Sequence, residues 1–148
     1  MIQYNVYTEY TRQPRIGDIY YMRFGGSHNE QSGYRPGIVF QNNIGNRFSP
    51  NIIALPLTSK IKKIGQPTHV LLLTQETGLP KDSVVLCENP ERMSKERLGE
   101  YVSTLSDDVM AKIAVANILA SAAISFINLD KLIETWKQAI SINATTVA

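Results

Sequence analysis

Arg35 and Thr58 are the residues whose types and settings suit chemistry on an anion. Arg35 sits in Gly33-Tyr34-Arg35-Pro36, and Pro36 biases it toward extended backbone. It therefore closes a loop and opens a strand, where a rigid scaffold holds a side chain that still reaches solvent. Its guanidinium is a planar fork able to contact two phosphoryl oxygens at once. Thr58 begins the polar end of an apolar run over residues 52–57. A hydroxyl there can donate to a third oxygen. Taken alone, Arg35 reads more readily as half of a surface ion pair, and Thr58 as a residue chosen for β propensity. Lys60 and Lys62 alternate with Thr58, so extended backbone turns all three the same way. Together they make either a phosphate-binding edge or a solvated hairpin tip. His28 lies in a polar loop, and His69 reads as a structural strand residue. They lack the partner spacing of a metal site, and no metal or cofactor is expected. Neither a Ser-His-Asp set nor a phosphate-cradling glycine motif is visible. Cys87 follows Val84, Val85 and Leu86 and reads as a buried strand thiol, not a nucleophile.

These residues need a scaffold. The stretch 33–63 reads as two apolar strands, around 38–40 and 52–57. A polar turn through Asn42, Asn43, Gly45, Asn46, Ser49 and Pro50 joins them. An earlier strand is expected over 18–24, followed by a mobile loop over 25–33 with glycines at both ends. Further strands are expected over 68–73, 83–88 and 101–105, with a turn over 78–82. Residues 1–15 read as a loosely ordered arm. Ser106 can cap a helix whose first turn holds Asp107 and Asp108. Val109, Ile113, Ala116, Ala120, Ala123 and Ile127 continue it at helical spacing. Asp130 can cap a second helix over 131–141, marked by Leu132, Ile133 and Trp136. Strands followed by helices point to a mainly β fold with C-terminal helices, a compact small β-barrel.

A chain of 148 residues fits one domain with a real core. Its 43% hydrophobic and 19% charged content is that of an ordinary globular protein. A net charge of +2 does not by itself indicate nucleic acid, so any such site must come from local clustering. One cysteine excludes an intramolecular disulfide and suits a reducing cytosol. The N-terminus lacks the pattern of a signal peptide. The uncharged stretch 113–127 is too short to span a bilayer. A soluble, cytoplasmic protein without membrane contact is expected. Because that stretch is apolar on nearly every side, it should be covered twice. One cover is the barrel core; the other is a second subunit, or the helix carrying Trp136.

The order RPGIVFQNNIGNRFSP, PLTSKIKK and PTHV resembles the MazF/PemK family of toxin–antitoxin endoribonucleases. Gly17-Asp18-Ile19-Tyr20 before it, and Lys81-Asp82-Ser83-Val84-Val85-Leu86 after it, keep the family's order. The resemblance covers residues 16–127, leaving 1–15 as an arm and 128–148 as a helical extension of one domain. It implies the SH3-like barrel of the MazF and CcdB toxins and a homodimer. It also implies metal-independent, sequence-selective cleavage of single-stranded RNA through 2′-OH attack, and inhibition by a cognate antitoxin. Arg35 and Thr58 match the family's catalytic arginine and threonine. Arginine is a poor base, so its implied role is charge stabilisation, with Glu30 a chemically reasonable base. The implied RNA-binding residues are Asn29, Glu30 and Gln31, then Lys60 and Lys62, then Glu88 and Asn89. Asn89, Pro90, Glu91 and Gly37 depart from the family pattern, which places the variation in the recognised sequence and not in the chemistry. The rivals are a non-catalytic binding toxin of the gyrase-poison kind and a plain RNA-binding module.

Overall fold

The computed structural model describes residues 12–25, 32–61 and 65–147. Strands β1 (Asp18–Gly25), β2 (Ser32–Val39) and β3 (Asn51–Thr58) are antiparallel neighbours. Strands β4 (His69–Leu72), β5 (Ser83–Leu86), β6 (Glu91–Ser94) and β7 (Leu98–Thr104) complete a seven-stranded antiparallel sheet. Its order is β4-β5-β3-β2-β1-β7, with β6 also on β3, and no ladder among the described residues closes β7 back onto β4.

Strand β3 is the hub of the sheet, paired with three others. On one edge it pairs with β2. Its other edge meets β6 at residues 51–54 and β5 at residues 57–58. Pro56, which has no N–H to give, falls in the gap between these two partners. Both faces of the sheet are covered, so β3 is apolar almost continuously rather than alternating. Leu55 and Leu57 face one cluster, with Ile19, Ile38 and Ile113. Ile52 and Ala54 face the other, with Met22, Phe24 and Met93. Gly37 belongs to this second packing. A Cβ there would stand 2.7 Å from both Met22 Sδ and Phe24 Cζ. The space a side chain would take at Gly37 is thus filled by large neighbours on β1.

The polar turn expected between β2 and β3 is a short helix, α1 (Asn43–Phe48). Asn42 caps it, its side chain accepting from the Gly45 N–H at 2.9 Å. Asn46 is fully buried and donates to Gln41 O at 2.7 Å and to Asn43 Oδ1 at 3.2 Å. The Asn-rich motif is therefore a hydrogen-bonded plug. A second short helix, α2 (Thr74–Thr77), and β6 were also unanticipated. The expected arm over 1–15 is fixed at its described end. Asp18, fully buried, accepts from Arg12 Nη2 at 3.1 Å, the Arg15 N–H at 2.9 Å and Thr104 Oγ1 at 2.6 Å. Arg12 also lies over the Tyr101 ring, 3.7 Å from its centroid.

Helix α3 (Asp107–Ala120) starts as expected, with Ser106 accepting from the Val109 N–H. It stops seven residues before the expected Ile127. Ser121 turns extended, and its hydroxyl accepts from the Ala123 N–H at 3.1 Å, offering the backbone an alternative to the helix. A one-turn helix, α4 (Ala123–Phe126), and the longer α5 (Leu129–Val147) follow. The cap of α5 comes from Asn128, accepting from the Lys131 N–H at 3.0 Å, not from Asp130. Trp136 is 59% exposed, so it does not cover α3 as the sequence suggested it might. No helix among the described residues is long and apolar enough to cross a membrane.

Candidate active site

Arg35 is carried by β2, opposite Met22 of β1. Thr58 ends β3, opposite Val84 of β5. Both open onto one cavity of about 660 Å³. Lys60, His69 and Lys81 line it too, and the charged side chains of its wall, Arg35, Lys60 and Lys81, are all cationic. Leu57, Leu79 and Val84 give it an apolar floor, and all three are buried. A low-polarity floor strengthens the pull of the nearby charges on an anion, compared with the same charges in water.

Thr58 is oriented by the chain itself. Its Oγ1 accepts from the Lys60 N–H at 3.1 Å. That bond occupies a lone pair and leaves the hydroxyl proton free to donate. Lys81 sits in the turn before β5, where Ser83 Oγ donates to its carbonyl at 3.2 Å and Asp82 accepts from the Thr74 N–H at 2.9 Å. His69 begins β4, and its Nε2 lies 2.8 Å from Glu88 Oε1. An ionised carboxylate only accepts, so Nε2 is the donor in this contact and Nδ1 is the ring nitrogen left for another partner.

The sequence-derived site residues separate into three groups. Arg35, Thr58 and Lys60 are brought together in the cavity wall. Glu88 stands at its border through His69, while Asn89 is exposed in the following turn, donating its N–H to Leu86 O at 3.1 Å. His28, Asn29, Glu30, Gln31 and Lys62 lie outside the described residues. Glu91 has a structural task, accepting from the Gly25 N–H at 3.0 Å and pairing with Arg97 at 3.4 Å. Sequence reasoning missed Tyr21 and Lys81 as cavity residues. No local signal marks either, since they come from β1 and from a turn distant in sequence. His69 was read as structural, and it is also part of the wall.

Cys87 is fully buried beneath β4 and α3 contacts, its carbonyl accepting from Asn117 Nδ2 at 2.9 Å. Burial, with the adjacent Glu88 charge adding to it, pushes the thiol up to about 12. It stays protonated at neutral pH and supplies no nucleophile.

Comparison with known proteins follows the same outline. Endoribonuclease EndoA of Bacillus subtilis (strain 168) is 40% identical over 113 residues, covering 74% of this chain and 96% of that protein. A solved mycobacterial endoribonuclease superposes with a TM-score of 0.60 at 25% identity, over 76% of this chain and 94% of that one. A mycobacterial endoribonuclease in complex with its cognate antitoxin gives 0.59 at 27% identity, over 72% of this chain and 93% of that one. With residues 15–119 matching the family described as the PemK-like, MazF-like toxin of type II toxin–antitoxin systems, the chain belongs to that family.

Proposed function

We propose that the protein is the toxin of a type II toxin–antitoxin pair, an endoribonuclease that cuts single-stranded RNA sequence-selectively and without metal. The observation that carries this reading is Arg35 and the oriented Thr58 hydroxyl on one cationic cavity, in a chain 40% identical to an endoribonuclease. RNA holds its own nucleophile. The 2′-oxygen attacks the adjacent phosphorus, the 5′-oxygen leaves, and a 2′,3′-cyclic phosphate and a 5′-hydroxyl result. Arg35 and Thr58 stabilise the charge that builds on the non-bridging oxygens. Arg35 stays protonated and is not the base. His69, tied to Glu88, is the described lining residue that offers a nitrogen lone pair for the 2′-OH proton. The departing 5′-oxygen takes a proton from water, and the proton held on His69 returns to water, which restores the site. The wall itself supports a metal-free route, because Arg35, Lys60 and Lys81 already supply the positive charge a metal would bring.

The assembly follows from the same reading. Residues 16–127 form the toxin core, an SH3-like barrel left open at one seam, with 1–15 and 128–148 as additions to a single domain. Val115, Ile118, Leu119 and Phe126 are exposed on α3 and α4. Exposed apolar side chains of that kind suit a homodimer interface. A cognate antitoxin covering the RNA cavity is the expected inhibitor, a reading supported by the similar mycobacterial endoribonuclease solved in complex with its cognate antitoxin. The setting is the cytoplasm, where RNA and a reduced Cys87 coexist.

Purified protein is expected to cut a long single-stranded RNA in excess EDTA at a limited set of sequences, and to spare duplex RNA. Mapping the new 5′ ends by primer extension gives the recognised sequence. A strict need for a divalent ion would defeat the metal-free mechanism. Binding without cutting would favour the RNA-binding module, and neither binding nor cutting would favour the gyrase-poison kind of toxin.

A further inference from the structure

Next to the cavity stands an aromatic pair that the reaction as described does not use. Tyr21 of β1 lines the cavity wall. Tyr34, the residue before Arg35, stacks on it with ring centroids 5.7 Å apart and planes 25° apart. The two positions are diagonal across the β1–β2 ladder, where Tyr21 pairs with Pro36 and Arg23 with Tyr34. From β2 the Tyr34 ring reaches over β1 to β7. There its hydroxyl occupies the place a side chain would take at Gly99, only 2.0 Å from where a Cβ would be built. The absence of a side chain at Gly99 is what lets the ring lie flat. Tyr34 is nevertheless 56% exposed. An aromatic pair serving only the core would bury its rings; this one keeps a large aromatic surface in water beside an anion site.

We propose that the Tyr21–Tyr34 stack is a nucleobase platform. It holds one base flanking the scissile phosphate by stacking, while Arg35 and Thr58 hold the phosphate. The proposal rests on the endoribonuclease reading and adds a base-binding subsite to it. Three features argue for a base as the occupant. Every base has a π face that stacks on an exposed aromatic ring. The platform adjoins Arg35 in sequence and the cavity in space, as a base adjoins its own phosphate. Tyrosine costs little entropy to hold in place, since only two torsions are fixed, and Tyr21 and Gly99 already fix them here.

The test uses a single-stranded RNA oligonucleotide spanning a mapped cut site. A 2′-deoxyribose at the attacking position keeps it uncut, and a terminal dye reports binding by anisotropy. Tyr34→Ala and Tyr34→Leu are each expected to weaken binding on the order of 10–100-fold, the loss typical of one stacked base. Tyr34→Phe keeps the π face and should stay within about twofold of wild type. Tyr34→Leu keeps apolar bulk over Tyr21 and so guards against a mere packing defect. Abasic nucleotides are then placed in turn at the positions flanking the cut. At one of them base removal should weaken wild type strongly yet leave Tyr34→Ala no worse. On cleavable RNA, Tyr34→Ala should raise KM much more than it lowers kcat. Binding of Tyr34→Ala equal to wild type, or losses that add at every abasic position, would overturn the platform while wild-type cleavage keeps the nuclease reading. A wild-type protein that neither binds nor cuts the RNA would overturn both.

Discussion

Arg35→Ala is expected to slow RNA cleavage by about 10²–10³-fold under single-turnover conditions, the usual loss when one preorganised donor to a developing anion is removed. The argument lies in the cavity. Arg35 is half-buried in its wall, above the buried residues Leu57 and Val84, and positive charge is not replaced there by water without loss. Arg35→Lys should recover only part of the rate, because an ammonium is a point charge and cannot fork to two oxygens. Thr58→Ala should show a loss of the same order. Thr58→Ser keeps the hydroxyl that accepts from the Lys60 N–H, and should recover most of it. Thr58→Val keeps the shape without the donor and should not. Circular dichroism melts of all variants check that the fold survives. If Arg35→Ala cut RNA at the wild-type rate, the chemistry would have to lie elsewhere.

The second large effect concerns stability. Asp18→Ala should cost about 2–4 kcal/mol, measured by urea denaturation. Asp18 is fully buried and joins three parts of the chain: Arg12, the backbone at Arg15, and Thr104 on β7. Alanine empties a fully buried site and leaves the Arg15 N–H without its acceptor, a loss of about 1–3 kcal/mol, whereas the exposed Thr104 hydroxyl keeps Tyr101 Oη at 2.7 Å. The Arg12 ion pair adds little, because that side chain is 40% exposed. Asp18→Asn keeps an acceptor oxygen but loses the charge, and should fall between alanine and wild type. A variant as stable as wild type would mean that the carboxylate merely occupies its pocket.

Much of this arrangement could be read from residue order. The strands β1 and β3 announce themselves by apolar runs, and the Ser106 cap marks the start of α3. What stayed hidden depends on distant partners. Helix α1 contains Gly45, a poor helix former, and is fixed by the buried hydrogen bonds of Asn46. Strand β6 reads Glu-Arg-Met-Ser, with no alternating pattern, and exists because β3 offers it an edge. In the candidate site, Arg35 and Thr58 were legible because short motifs surround them. Lys81 and Tyr21 were not, since only the fold carries them to the same cavity. Trp136 shows the limit of periodicity: an apolar stripe says that something can cover it, and not what does.

The exposure of α5 has a consequence for local opening. Residues 129–139 all face water in the single chain, with Leu132, Ile133 and Trp136 among them. A helix this exposed gains little from packing and rests largely on its own propensity, which is weak for a single helix in water. Its amide protons should exchange with solvent near the rate of a fraying peptide, while those of β3 wait for global unfolding. Exchange protection gained along Leu129–Val147 would then be a direct gauge of any molecule that docks on that stripe.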